Sequence, residues 1–346
     1  MNWFNSLDAT TQFVLFSVLK IIGVFAVAMG AVSYSVLAER KISAFIQDRI
    51  GPNRVGPAGL LQPIADGVKA FLKEDFTPAH VRKIYFWLAP MITMIPALLV
   101  LAVIPFGSSL GHQKMVIADL NVGILYTFGI VSLGVYGIVL AGYASNSKYP
   151  FFGGIRSSAQ MISYEIAMGM SVIPVFLIAG DLNLSNIIQY QAKHGWLIIY
   201  APISFAIFMV SSFAETNRLP FDMPESEQEL VAGYNTEYSS MKFALFFMGE
   251  YTNMIAASAM MVTLFLGGWT LPFAGLDNPH PSLGIGVIQI CIFLAKIFVL
   301  MGLFIWVRWM WPRFRYDQLM DLGWRQFLPL SLVNIVATAL ILWAVT

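Results

Sequence analysis

Eight windows of about twenty mostly apolar residues divide this chain, and no other feature limits its fold as much. They run near 13–37, 86–106, 122–144, 159–179, 197–214, 243–267, 285–307 and 327–345. A backbone that crosses lipid must satisfy its own N–H and C=O groups, so each window predicts a helix. Charged residues are 11% of the 346, less than half the share found in soluble domains. The expected fold is all-α: a polytopic membrane protein of about eight transmembrane helices, forming a single integral membrane domain over 1–346. Asn2 to Thr11, with Trp3 and Phe4, reads as an interfacial lead-in. It lacks a basic n-region and a small-residue cleavage site, so the first apolar run is expected to stay in place.

Lysine and arginine set the orientation. Sixteen of the twenty fall in the segments after windows 1, 3, 5 and 7, while only Lys114 and Lys193 lie in the loops on the other side. This positive-inside bias predicts that both termini face outward. The inner loops are then about 39–85, 145–158, 214–242 and 308–326. The first is too long for a simple connector. ERKISAFIQDR is expected to extend the first helix, and GPNRVGPAG to break it, because its prolines and glycines cannot continue a helix. After the break Leu60, Leu61, Ile64, Val68, Phe71 and Leu72 recur at helical spacing, with Gln62, Asp66, Lys69 and Lys73 opposite. That pattern predicts an amphipathic helix at the membrane surface or against a partner.

Several function classes are excluded. The net charge of +1, with no basic patch away from a membrane edge, argues against nucleic acid. One cysteine allows neither a disulfide framework nor thiolate ligation of an iron–sulfur cluster. His80, His112, His194 and His280 are too scattered to hold a metal. No nucleophilic triad, phosphate-cradling loop or cofactor fingerprint is present.

The chemistry-bearing residues are carboxylates. Phe213 to Ser239 carries Glu215, Asp222, Glu225, Glu227, Glu229 and Glu237 with one cation, Arg218. As a helix, Asp222, Glu225 and Glu229 would share a face while Glu227 points away. Like charges at that spacing raise one another's pKa, which suits proton exchange, although a solvated acidic loop would have the same composition. Glu165 and Glu250 lie inside windows, where a charge costs on the order of 2.5–3.5 kcal/mol. Each adjoins a tyrosine, Tyr164 or Tyr251, able to hold a water; a helix–helix hydrogen bond from a protonated Glu is the alternative. Lys296, midway along window 7, needs a carboxylate partner or a lowered pKa, whereas Lys20 is nearer an edge. Glu39, Glu165, Glu215 and Glu250 all fall in the inner half and could form one polar file.

The runs AERKISAFIQDRIGPNRVGPAGLLQPIADGVKAFLKED, AGYASNSKYPFFGGIRSSAQMISYE, AETNRLPFDMPESEQELVAGYNTEYS, FALFFMGEYTNM and PRFRYDQLMDLGW resemble one family of membrane subunits. It is the H-type subunit of the proton-pumping NADH:quinone oxidoreductase, respiratory complex I, whose mitochondrial counterpart is NADH dehydrogenase subunit 1. The likeness extends from about Glu39 to Trp324 in order and spacing, with Ser226 a small departure. It implies an eight-helix subunit joining the membrane arm to the peripheral arm, with quinone as substrate and no cofactor of its own. NADH, FMN and the iron–sulfur clusters would then be on partner subunits. The resemblance assigns Arg40, Arg49, Asp66, Arg218, Phe221 and Asp222 to the quinone chamber. It assigns Glu39, Glu165, Glu215, Glu225, Glu227, Glu229 and Glu250 to an acidic file into the membrane arm, to which the burial argument adds Lys296. A bacterial inner membrane is the expected location, ahead of the mitochondrial one. The alternatives are a membrane anchor of a related ferredoxin- or hydrogenase-linked pump, a secondary ion transporter, and a docking platform only.

Overall fold

The computed structural model describes residues 9–110, 113–223, 230–272 and 283–345. Its elements, in chain order, are α1 (Ala9–Ile46), α2 (Gln62–Leu72), α3 (Lys83–Val100), β1 (Ser109–Leu110), β2 (Gln113–Lys114), α4 (Gly123–Ala144), α5 (Lys148–Ala179), α6 (Leu184–His194), α7 (Leu197–Tyr200), α8 (Pro202–Glu215), α9 (Ser240–Phe265), α10 (Leu283–Met310), α11 (Tyr316–Asp321) and α12 (Leu328–Val345). The antiparallel β1–β2 pair is the only sheet among the described residues. The protein is a multi-pass, all-α membrane protein.

Among the described residues, six helical segments are long and apolar enough to cross a bilayer: Val14–Ile46, Lys83–Val100, Gly123–Ala144, Lys148–Ala179, Gly284–Met310 and Tyr316–Val345. The other two expected windows depart from that standard for physical reasons. α9 has 26 residues, but Lys242, Glu250, Thr252, Asn253 and Ser258 lower its hydropathy. The window 197–214 is not one helix. Ala201 leaves helical geometry (φ −132°, ψ 58°) and Pro202, which has no N–H to offer, begins α8, of 14 residues. Helix also replaces expected loop: α5 starts at Lys148, about three turns before the predicted window. A π-helical turn, Leu322–Phe327, joins α11 to α12.

The 39–85 segment folds as its sequence predicts. α1 runs 38 residues, well past the ~20 a bilayer needs, before the glycine–proline segment stops it. Gly59 holds φ +75°, and a Cβ there would come 2.1 Å from the Pro52 carbonyl oxygen, so only glycine fits that turn. α2 follows with Ile64, Val68, Phe71 and Leu72 all exposed, an apolar stripe suited to lipid. Its C-terminal end is fastened to the start of α9. Ser240 Oγ lies 2.9 Å from the Ala70 carbonyl and 3.0 Å from that of Lys73, and Lys242 Nζ reaches Asp75 (2.9 Å) and Thr77 (2.7 Å). The Lys242 ammonium also lies 4.3 Å over the Trp87 ring.

α3, α4, α5 and α8 pack in sequence, α9 closes on α3, and α12 covers α5. The main core surrounds Tyr164, Phe208, Phe213, Phe265 and Phe304. A second cluster, with Phe86 stacked on Tyr238 at 4.0 Å, underlies the start of α3 and the C-terminal end of α4. The 230–239 segment lies directly on α5: a Cβ on Gly153 would meet Gly233 Cα at 2.7 Å, which any side chain would forbid. α1 and α12 stay at the periphery with most of their apolar surface outward. Lipid or neighbouring apolar helices solvate such surface without penalty.

Candidate functional site

A polar cavity of about 510 Å³ opens where the C-terminal ends of α1 and α10 meet the first half of α9 and the turn 216–223. An apolar groove of about 1090 Å³ runs below it between α1 and α10. Tyr34, Ala38, Ile42, Gly302 and Ile305 line the groove, and Glu39, Arg40, Ser43, Arg308 and Trp309 line the cavity. The two spaces therefore follow one another along the same two helices, oily below and charged above.

A buried ionic network forms the cavity wall. Arg218, from the turn after α8, places Nη1 3.2 Å from both Glu39 carboxylate oxygens. Its Nε lies 2.6 Å from Glu250 Oε1, a close charge contact that is out of line for a hydrogen bond. Its guanidinium stacks 4.3 Å over the Tyr251 ring. Arg308 pairs with Glu39 from α10, and the Tyr251 hydroxyl donates to the same carboxylate. Arg218 is only 11% exposed. Burial disfavours its charge, but Glu250, Tyr251 and Glu39 more than offset this and hold its pKa above the ordinary arginine value.

Asp222 extends the network. Its Oδ2 lies 3.1 Å from Arg313 Nη2, while Oδ1 is buried without a protein hydrogen bond. Burial pushes this carboxyl up, and Arg313, Arg308 and Arg218 draw back only part of the rise. Buried charges of both signs make a wall that is stable only while each has its partner.

The turn carrying Arg218 and Asp222 is held from α5. Gln160 Nε2 donates to the carbonyls of Ala214 (2.7 Å) and Phe221 (2.9 Å) and lies 3.2 Å from Asn217 Oδ1. Asn217 Nδ2 in turn donates to Ser157 Oγ at 3.0 Å. Tyr164 donates to the Leu319 carbonyl at 2.8 Å, and Phe221 stacks on Phe314 at 5.4 Å, so the 312–327 segment is clamped to the same turn.

A second carboxylate pair lies deeper. Glu215, ending α8, is 8% exposed and within electrostatic reach of Glu165 on α5. Glu165 is hydrogen-bonded to Ser132 Oγ, which also sits 2.9 Å from the Phe128 carbonyl. The one hydroxyl hydrogen cannot serve both acceptors. Ser132 donates to an ionised Glu165, or it donates to Phe128 and accepts from a protonated one.

Among the residues predicted for the chamber, Arg40, Arg49, Arg218 and Asp222 line the cavity. Asp66 reaches it indirectly, pairing with Arg40 at 2.9 Å and accepting from Gln62 at 2.9 Å. Phe221 does not face the cavity; it is 2% exposed, between Tyr164 and Phe314. Of the predicted file, Glu39 and Glu250 are in the cavity wall and Glu215 and Glu165 form the deeper pair. Glu225, Glu227 and Glu229 lie outside the described residues. Asp222 itself is not helical.

Lys296 belongs elsewhere. Its ammonium donates to the carbonyls of Leu266 (2.7 Å), Gly268 (2.9 Å) and Thr270 (2.5 Å) at the far end of α9, and lies 4.7 Å over the Trp196 ring. These carbonyl oxygens help to stabilise the cation, at a place apart from the cavity wall and from the Glu215–Glu165 pair. Lys20 likewise reaches a backbone carbonyl, that of Val116, at 2.8 Å. Of the two tyrosines, Tyr251 donates its hydroxyl to Glu39 and Tyr164 to the Leu319 carbonyl.

Sequence reasoning missed the roles of Arg308, Arg313 and Gln160. The arginines registered only as inner-side charge. Arg308 pairs with a residue 269 positions away, a separation that leaves no local trace.

Residues 19–339 match the family described as NADH dehydrogenase. The chain is 48% identical over 339 residues to the first of the H-type NADH-quinone oxidoreductase subunits of Cytophaga hutchinsonii, covering 96% of this chain and 98% of that relative. It is 52% identical over 322 residues to the H-type subunit of the Rhodospirillum rubrum enzyme, covering 93% and 92% respectively. With subunit 8 of the Rhodothermus marinus NADH-quinone oxidoreductase it shares 52% over 317 residues, covering 89% and 92%. The chain therefore belongs to the NADH dehydrogenase family, among membrane subunits of NADH-quinone oxidoreductase.

Proposed function

We propose that this chain is the membrane subunit that forms part of the quinone chamber in a proton-translocating NADH:quinone oxidoreductase, and that it couples quinone reduction to proton movement. The observation that carries this reading is the succession of an apolar groove and a charged cavity along α1 and α10. An isoprenoid tail suits the first space, and the polar headgroup of the same molecule suits the second. The redox groups belong to partner subunits of the peripheral arm. The chain works in a bacterial inner membrane with both termini outward, the cavity opening on the basic inner side.

Coupling follows from the wall of the cavity. A reduced quinone is a new anion or a proton acceptor beside Asp222, Arg218 and Glu39. At an effective dielectric constant near 20, unit charges 4 Å apart interact by about 4 kcal/mol, roughly three pKa units. A charge change there alters which of Glu39 and Glu250 holds a proton, and Glu215 and Glu165 continue the series inward. Arg218, shared between Glu39 and Glu250, is the hinge of that exchange.

Photo-crosslinking with a quinone analogue tests the chamber assignment. The assembled complex is expected to label the 34–66 region of α1 and its loop, with labelling competed by excess quinone. Labelling confined to other subunits would overturn the assignment.

A further inference from the structure

The apolar groove between α1 and α10 has a second end, away from the charged cavity. Ile42 lines it near the cavity, and Lys20 lines it at the far end. At about 1.5 Å per residue the α1 backbone rises about 33 Å between them, close to the thickness of a bilayer's hydrocarbon core. Val24, Val27, Ala31 and Ala38 continue from Lys20 along one face of α1, and all line the groove. Among the described residues Lys20 is the one charged side chain in that lining. Its Nζ donates to the carbonyls of Val116 (2.8 Å) and Lys114 (3.4 Å). These two bonds occupy two of its three N–H groups and leave the ammonium without a counter-anion. Asp119, the acid of the adjoining segment, pairs instead with Lys114 at 2.6 Å and accepts from Asn183 at 2.8 Å. Beside Lys20 the groove is open: a Cβ added to Gly23 or Gly30, both in the lining, would meet nothing within 4 Å.

We propose that the far end of the groove binds an anionic phospholipid, its phosphate on Lys20 and an acyl chain laid past Gly23 toward the middle of the membrane. A lysine stem lying along an apolar wall carries its ammonium to the headgroup level. There a phosphate accepts the remaining N–H and supplies the anion that the surrounding carbonyls lack. The tail of a quinone offers no such group, so it does not satisfy Lys20. A molecule whose polar head lies in the charged cavity fills the groove from the opposite end. The two chains then meet tail to tail, as lipids of facing leaflets do. This site does not depend on what occupies the charged cavity.

Photolabelling of the assembled complex in proteoliposomes tests the site. The probe is a phosphatidylglycerol with a diazirine on one acyl chain, and labelled peptides are mapped by mass spectrometry. Label is expected on α1 between Lys20 and Ala31 and on the facing 290–298 stretch of α10. A phosphatidylcholine with the same diazirine is expected to label these stretches about fivefold less, the factor that one lysine contributes near an anionic lipid. Lys20→Met is expected to lower the phosphatidylglycerol label by the same factor, with label at exposed Val333 and Leu340 of α12 unchanged. Lys20→Arg keeps the cation and is expected to keep the label. Gly23→Leu fills the groove from its floor and is expected to lower the label with the cation in place; if Lys20→Met fails to assemble, this variant and the two probes carry the test. Excess long-tailed quinone is expected not to displace the label. Equal labelling by the two probes, or equal labelling of parent, Lys20→Met and Gly23→Leu, would mean annular lipid only and overturn the site. Displacement by quinone would assign the whole groove to the quinone tail and overturn it as well.

Discussion

Arg218 and Glu39 meet at 3.2 Å although 179 residues separate them. This contact joins the turn after α8 to the inner end of α1, and with Glu250 on the other side of the guanidinium it fixes three elements around one cation. Replacing Arg218 with Met leaves Glu39 and Glu250 buried with their shared cation gone, a change worth about 3–5 kcal/mol in comparable pairs. The expected outcome is loss of assembled complex on a native gel. Arg218→Lys keeps the charge but not the fork, and is expected to assemble with reduced quinone turnover.

Asp222 supplies a pH prediction. Its carboxyl titrates above the ordinary value because burial outweighs the neighbouring arginines. Those arginines favour the ionised form, so removing one favours the protonated form and raises the pKa further. Arg313→Ala is therefore expected to move the acid limb of the pH profile of quinone reduction upward, so that activity is lost first at the acid end. An unmoved limb would show that Asp222 ionisation does not limit turnover.

Gln160 clamps the turn from behind. Gln160→Leu removes the side-chain donor shared by the Ala214 and Phe221 carbonyls and leaves each with only local backbone N–H groups, those of Asn217 and Met223 among them, at about 0.5–1.5 kcal/mol for each lost bond. A lower thermal midpoint of the complex is expected, together with a higher KM for quinone. Gln160→Glu, ionised, would repel the same carbonyls and is expected to be worse.

The latch between α2 and α9 makes a separate prediction. Lys242→Met removes the contacts to Asp75 and Thr77 while keeping an apolar stem over Trp87. Trypsin is expected to cut at Lys69 and Lys73 faster in membranes carrying this variant, because the end of α2 is no longer tied down. Equal cleavage rates would show that Ser240 alone secures it.

Much of the architecture was legible because lipid permits few solutions. The apolar windows and the amphipathic period of Gln62–Leu72 each follow from a local pattern. What stayed hidden depends on distant partners. The depth of Lys296 suggested a carboxylate partner or a lowered pKa, and nothing in the sequence signals the backbone carbonyls it reaches where Gly267 and Gly268 unwind the end of α9. Phe221 adjoins Asp222 in sequence, but the turn sends it into the core and Asp222 to the cavity. The Pro202 break was readable in principle, since proline inside an apolar window is a standing helix-stop signal.

The central claim is that quinone chemistry at the charged cavity drives protons through the buried carboxylates. Its most direct test is internal acidification of proteoliposomes holding the assembled complex with Glu165→Gln or Glu215→Gln, measured alongside NADH-driven quinone reduction. Both quantities are expected to fall together in each variant. Acidification at the parent rate in both variants would contradict the account.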